Sequence, residues 1–395
     1  MMKKMVLCLK YCGICNIINL YNVVAARKVA SIFPEVFIMK KRITALIFCL
    51  VLVFSLCSCK SDKDVVSSDV TDGVSSVEEP KTVANPLTGL QIDASIKNVK
   101  PVAIMINNIS VAQKVQTGLN SFDVIYETEV EGGITRMMGV AKNPAALPQV
   151  GSVRSARFPY LELALGHDAT FVHGGFDPVY FAPHRKELKV KTIDINGNFK
   201  DENTGKSYAT SKCGFRQANG LSSEHTLYTT GEKLAAGRKE LGYETESTVE
   251  KWINFSEEAV TLSEPCLGVK VPFSGSYISS FNYDATLGKY IKTSSGTVRT
   301  DYITGEKLAV KNVFVLLTDI QPYPDNYHME VELKGGEGYY ISNGTCEKIT
   351  WAKGSTYSAL SFKKADGTDL TANAGNSYIC LLGNDQAGKL AFSAE

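Results

Sequence analysis

Residues Met39 to Cys59, MKKRITALIFCLVLVFSLCSC, constrain the rest of the chain most, because they set where a folded body can begin. Lys40, Lys41 and Arg42 open the segment, and Ile43 to Leu56 form an apolar run of 14 residues. A spanning helix needs about 20 such residues. A shorter run behind a basic start fits the apolar core of an export signal, which is removed from the mature protein.

The end of the segment refines this reading. Leu56 stands three positions before Cys59, with Cys57 and Ser58 between, and this spacing resembles the lipobox of bacterial lipoproteins. Cleavage before Cys59 would leave a thiol that carries lipid. Cys57 fits less well, because bulky Leu56 would sit beside the cut. Residues 1–38 are then expected to be upstream sequence from an early start, with Met39 as the true start codon. A second hydrophobic element there is disfavoured, because Cys12-Gly13, Asn16, Asn19 and Arg27-Lys28 break its apolar patches. Cys8, Cys12 and Cys15 lack a second ligand pair, so no metal knuckle is expected.

Charge changes with the boundary. Residues 1–58 hold eight of the 42 Lys/Arg and one of the 41 Asp/Glu; removing them leaves 34 against 40, a net charge of −6. A mildly acidic body lacks the concentrated basic footprint of nucleic-acid binding. It also gains little from anionic lipid, so acyl chains must provide the membrane attachment. Lys60 to about Asn85 has no aromatic residue and reads as a tether. A coil of that length holds the body roughly 25 to 30 Å from the membrane.

The remaining chain reads as α+β: a mixed α/β domain over 86–245, followed by a β-rich domain over 246–395. Val102 to Ile106 is a continuous apolar strand, and Phe122 to Glu129 turns through Gly132-Gly133 into Ile134 to Ala141. Helices are expected over Ser155–Leu165, with Pro159 in the first turn, and over Lys233–Leu241, stopped by Gly242. Ala169 to His173 is a short strand closing on Gly174-Gly175. Beyond Thr248 the runs are short, rich in Tyr and Thr, and separated by turn residues. Cys213, Cys266, Cys346 and Cys380 remain in the body, as buried thiols or in any of three full pairings.

Candidate chemistry clusters between Glu127 and Asp177. Arg154 and Arg157, at the expected helix start, would hold a carboxylate or phosphate together with Arg136. The competing expectation is an internal network with Glu127, Glu129 or Glu131. Gly174 and Gly175 would admit a ligand close to the backbone. His173, oriented by Asp177, and His225, with Glu127 nearby in function, are candidate acid/base groups. His167, Asp168, His173 and Asp177 match no metal-site spacing. Tyr339, Tyr340 and Trp351 would stack on a glycan or fill a core. The chain carries no phosphate-binding glycine loop, no zinc-peptidase helix motif and no serine nucleophile elbow, so neither cofactor nor metal is expected.

The segments NPLTGL, MINN, SFDVIYETEVEGGITR, GSVRSAR, ELALGHDATFVHGG and EHTLYTT, with YDATLGKYIKTSSGTVRTDYITGEKLAVKNVFVL and GTCEKITWAKG, resemble the YerB-like lipoproteins of Gram-positive bacteria. The resemblance spans about 85–385, and EGGITR and VRSAR are its most specific blocks. It departs where an Arg after Tyr290 and a His near Arg299 would be expected; Ile291-Lys292 and Val298-Arg299-Thr300 stand there. The resemblance implies two domains of unknown function on a lipid anchor at the extracytoplasmic face of the membrane. The expected role is non-catalytic binding of peptidoglycan, teichoic acid, a wall precursor or a wall-synthesis protein. The alternative is a hydrolase or transferase acting on an anionic envelope substrate.

Overall fold

Side-chain alternation decides the architecture. In the strand Val102–Asn107, residues 102, 104 and 106 join one apolar cluster while 103 and 105 join another. Both faces are covered, which is why the strand reads as an unbroken apolar run rather than an alternating one. The computed structural model describes residues 81–200, 204–247 and 251–395. The signal segment, Cys59 and the tether up to residue 80 lie outside the described residues.

The principal strands, in chain order, are β1 (Val102–Asn107), β2 (Val124–Glu129), β3 (Thr135–Ala141) and β4 (Thr170–His173). There follow β5 (Gly268–Pro272), β6 (Ile278–Asp284), β7 (Lys289–Ser294) and β8 (Asn312–Thr318). The last are β9 (Gly335–Ser342), β10 (Thr345–Lys353) and β11 (Ser377–Gly383). The main sheet has 11 strands and runs Glu264–Pro265, β10, β9, β8, β11, β2, β3, β1, β4, Ile193–Asp194, with Leu360–Lys364 also paired to β10. A second sheet of six is centred on β7, β6 and β5.

The hairpin β2–β3 forms as expected. It is antiparallel from Val124↔Val140 to Glu129↔Thr135, with Gly132 and Gly133 at φ 68° and 71° in the turn. Those angles suit glycine and few other residues. Helix α1 spans Phe158–Gly166, three residues later than the sequence suggests. The segment before it stays extended: Ala156 bridges Phe176, and the Arg157 backbone is extended at the N-cap. Helix α2 spans Phe181–Glu187, and α3 spans Gly231–Leu241, capped by Thr230 and ended by left-handed Gly242.

One face of the main sheet packs against the second sheet, through Val271, Phe273 and Phe281, and against Leu234 and Leu241 of α3. The other packs against Tyr160, Leu161 and Ala164 of α1, with Trp252. The boundary near residue 246 does not separate two bodies. Strand β11 inserts between β2 and β8, parallel to both, so residues from either side of that boundary share one sheet within one compact unit. Described residues beyond 251 are almost entirely strand and turn, and the fold as a whole is strand-rich α+β.

Candidate functional site

Besides β10, six strands of the main sheet point the same way: β8, β11, β2, β1, β4 and Ile193–Asp194. Their C-terminal ends carry Thr318, Gly383, Glu129, Asn107, His173 and Asp194. Loops at such an edge are the usual location of sites in sheets with parallel strands. Here the edge is crossed by residues 152–157. Arg154 N donates to Met105 O at 3.1 Å, Gly174 N to Arg154 O at 3.0 Å, and Ala156 N to Gly175 O at 2.9 Å. The loop is therefore held between the ends of β1 and β4, where it displays Arg154, Ser155 and Arg157.

The three arginines are brought together and are paired internally. Buried Glu131 accepts from Arg136 Nη2 at 2.6 Å and from Arg157 Nε at 2.9 Å, with a further bond from Arg157 Nη2. These two cations hold the Glu131 carboxyl below its usual range although burial opposes them. Arg136 also donates to Ser155 O. Its own pKa falls to about 9, through burial first and then the neighbouring Arg157. Arg154 pairs with Glu224, and this bridge is much more open, with side chains 24% and 47% exposed. Three guanidiniums thus face two carboxylates.

The histidine candidates are occupied differently. His173 Nδ1 donates to Gly175 O at 2.8 Å, which leaves Nε2 to accept from the Thr192 hydroxyl at 2.9 Å. Burial pushes its pKa down to about 4. Asp177 does not orient it. That carboxylate accepts the backbone N–H groups of Val179, Tyr180 and Phe181 at 2.8 to 3.2 Å, capping the entry to α2. An Asp four residues after a His fits a catalytic pair and a helix cap equally well in sequence, and here the cap is what forms. His225 Nδ1 accepts from Asn107 Nδ2 at 2.9 Å, and its Nε2 lies 3.5 Å from Glu224. Burial outweighs the pull of Glu224 and keeps its pKa below the ordinary value.

Gly174 is tight for packing reasons, and Gly175 has a left-handed backbone at φ 81°. A Cβ on Gly174 would meet Leu227 Cδ2 at 2.5 Å, and Gly175 N already donates to Asp194 Oδ1 at 2.8 Å. His167 Nε2 faces the Tyr126 hydroxyl at 2.7 Å, so it does not converge with Asp168, His173 and Asp177 on one centre. Tyr340 and Trp351 lie in the core, with Trp351 Nε1 donating to Leu317 O at 3.1 Å.

Glu127 is not at the open edge. It lies between the sheets, accepting from Asn108, Thr135, Ser279 and Tyr378 at 2.6 to 2.8 Å, with Lys292 Nζ 3.5 Å away. Sequence reasoning missed Lys292 as its counter-ion, because 165 residues separate the two. It also underused Glu129. This half-buried carboxyl has no hydrogen-bond or ion-pair donor among the described residues. Burial, and then Asp385, raise its pKa to about 7. Its ionised form is therefore disfavoured by the fold above pH 7, and that penalty fades between pH 7 and the ordinary 4.5. Glu129→Gln should raise the thermal midpoint at pH 8 and leave it unchanged at pH 4.5; an equal shift at both values would contradict this assignment.

Further along the edge, a groove of about 730 Å³ opens beside α1, lined by Phe158, Glu162, Asp319, Tyr323, Glu330 and Lys353 among others. The Tyr323 ring stacks on Tyr180 at 3.9 Å. Lys353 donates to three carbonyls, of Ser355, Thr356 and Ser358, at 2.6 to 2.7 Å.

The sequence of this strand-rich α+β body matches two described domain families. The DUF3048 N-terminal domain matches residues 87–244 and the DUF3048 C-terminal domain matches 269–379, both described as of unknown function. The chain belongs to the DUF3048 family. It is 27% identical over 319 residues to a Bacillus subtilis (strain 168) protein named "Putative lipoprotein YerB", covering 79% of this chain and 87% of that one. Its fold resembles the crystal structure of the YerB protein from Bacillus subtilis, with TM-score 0.64 at 22% identity, over 79% of this chain and 99% of that one.

Proposed function

We propose that this is a lipid-anchored cell-envelope protein, held by acyl chains on Cys59 at the extracytoplasmic face. It binds an anionic group of a wall polymer, a wall precursor or a wall-synthesis protein without turning it over. The observation that carries the binding role is the Arg154–Glu224 pair. An ion pair this exposed contributes only about 0 to 1 kcal/mol, so an incoming carboxylate or phosphate can take the place of Glu224 on Arg154. Arg136 and Arg157, fixed behind it by buried Glu131, supply a positive background without being free to move. The anchor is supported by the Met39–Cys59 segment and by the name of the Bacillus subtilis relative.

Arg154→Gln keeps a polar, hydrogen-bonding side chain and removes its charge. In calorimetric titrations with muropeptides and with teichoic acid fragments, it should weaken binding about 10-fold or more, the usual loss for a charge-assisted contact. Unchanged affinity in both series would remove the anion site. The Arg157→Ala variant is a poorer test, because it removes one of the two cations paired with buried Glu131.

One observation favours a second reading, a hydrolase or transferase. Glu129 holds a proton near neutral pH beside Asp385, as a general acid needs. That reading requires turnover of the same fragments that Glu129→Gln abolishes.

A further inference from the structure

The four cysteines of the body are free thiols in this structure, and all are buried. Their surroundings separate them. A Cβ on Gly237 of α3 would come within 2.0 Å of Cys213 Sγ, so that thiol is packed beneath a helix. Cys380 lies in β11 opposite Glu127, the residue to which β2 pairs it. Cys266 and Cys346, in contrast, lie on one ladder. The register Glu264↔Cys346 and Pro265↔Thr345 brings Cys266 opposite Gly344, where Cys266 N donates to Gly344 O at 2.7 Å. Cys346 is then the diagonal neighbour of Cys266 on the same face of the pair. Cys266 Sγ donates to Gly268 O at 3.4 Å, and the two thiols are near enough that Cys266 lowers the pKa of Cys346.

We propose that Cys266 and Cys346 are a disulfide-forming pair that closes on exposure to a small-molecule disulfide or a disulfide-bearing thiol oxidase. In the cell this rests on the extracytoplasmic placement argued above; the pairing itself does not. The exchange balances in two steps. Cys346, as thiolate, attacks one sulfur of the oxidant R–S–S–R, forming a mixed disulfide and releasing RS⁻. Cys266, as thiolate, then attacks the Cys346 sulfur, forming the protein disulfide and releasing the second RS⁻. The protein pair loses two electrons and two protons, and the oxidant is reduced to two thiols. Cys346 is the attacking group because it is the less deeply buried of the two and the neighbouring Cys266 thiol lowers its pKa. Access requires only local opening of Glu264–Pro265, a two-residue strand at the sheet edge.

The bond would sit where the chain crosses between sheets. Glu264–Pro265 pairs with β10 of the main sheet, and Gly268 begins β5 of the second. Tyr290 Oη on β7 already donates to Cys266 O at 2.7 Å, so a covalent link from Cys266 to β10 fixes both sheets at one point. It also closes a loop of 80 positions, long enough to restrict the unfolded chain strongly.

The test uses the soluble body, residues 60–395, treated with oxidised glutathione and then freed of it. Intact mass should fall by about 2 Da with no retained glutathione, and non-reducing digestion should yield one linked peptide joining Cys266 to Cys346. The thermal midpoint of the oxidised form should exceed that of the reduced form by about 5 to 10 °C, and Cys346→Ser should abolish the difference. Four alkylatable thiols after denaturation, or a link involving Cys213 or Cys380, would overturn the proposal. Should Cys346→Ser not fold, Cys266→Ala provides the same comparison. Protein taken from cells tests the placement separately. A reduced pair there, with ready closure in vitro, would count against the outward placement and leave the pairing standing.

Discussion

Lys292→Met should destabilise the fold by about 3 to 5 kcal/mol, the usual cost of stranding one partner of a buried ion pair. The side chains of Lys292 and Glu127 are 1% and 2% exposed, and they meet between the two sheets. Lys292 also donates to Ser279 and Ser294 at 2.9 and 3.0 Å, so its ammonium has no route to water. Burial lowers its pKa, and Glu127 opposes that shift. With Met at 292, the Glu127 carboxylate would keep neutral donors but lose its counter-ion. The double variant Glu127→Gln/Lys292→Met should recover most of the loss, since both charges then leave together. Urea unfolding of the three proteins measures this. A loss under 1 kcal/mol for the single variant would show that the pair is not charged as described.

The isolated fragment 86–245 should fail to fold cooperatively. All seven residues of β11 are buried, and β11 supplies the partner of β2 on the side away from β3. Without it, the backbone groups of a central strand are opened and the apolar rows on both faces of β2 lose their cover. Glu127 would lose Ser279, Lys292 and Tyr378 in the same cut. The expected result is a fragment with no sharp thermal transition, while 60–395 unfolds in one step. A well-dispersed amide spectrum and a cooperative melt from the fragment would show that it is an independent domain after all.

Local features of the fold were legible in the sequence and non-local ones were not. The apolar run of β1 and the Gly132-Gly133 hairpin are encoded by neighbours in the chain, as is the stop of α3 at Gly242. Insertion of β11 beside β2 is a parallel pairing across some 250 positions, and such pairings leave no local periodicity to detect. Helix α1 starts later than the sequence suggests, although Ser155 to Arg157 have nothing against helix in their composition. What keeps them extended is the tertiary bridge to β4 and Phe176.

The same division holds at the site. The grouping of Arg136, Arg154 and Arg157 followed from chain proximity, and Glu131 was among the expected partners. Glu224 as the partner of Arg154 required the fold. The departure after Tyr290 also acquires a physical meaning. Lys292 supplies a positive charge against Glu127, and Arg299 is buried nearby, donating to Gln116 Oε1 at 3.1 Å and to Gln113. That segment belongs to the junction between the sheets rather than to the open edge.

Ligand should bind at the crossed edge of the main sheet. Amide hydrogen exchange on the 60–395 body, with and without saturating wall fragments, tests it most directly. Protection should rise at 152–157, 174–176 and 222–226 in the wild type and stay at baseline in Arg154→Gln at the same ligand concentration. Protection confined to other surfaces, or equal in the two proteins, would contradict the account.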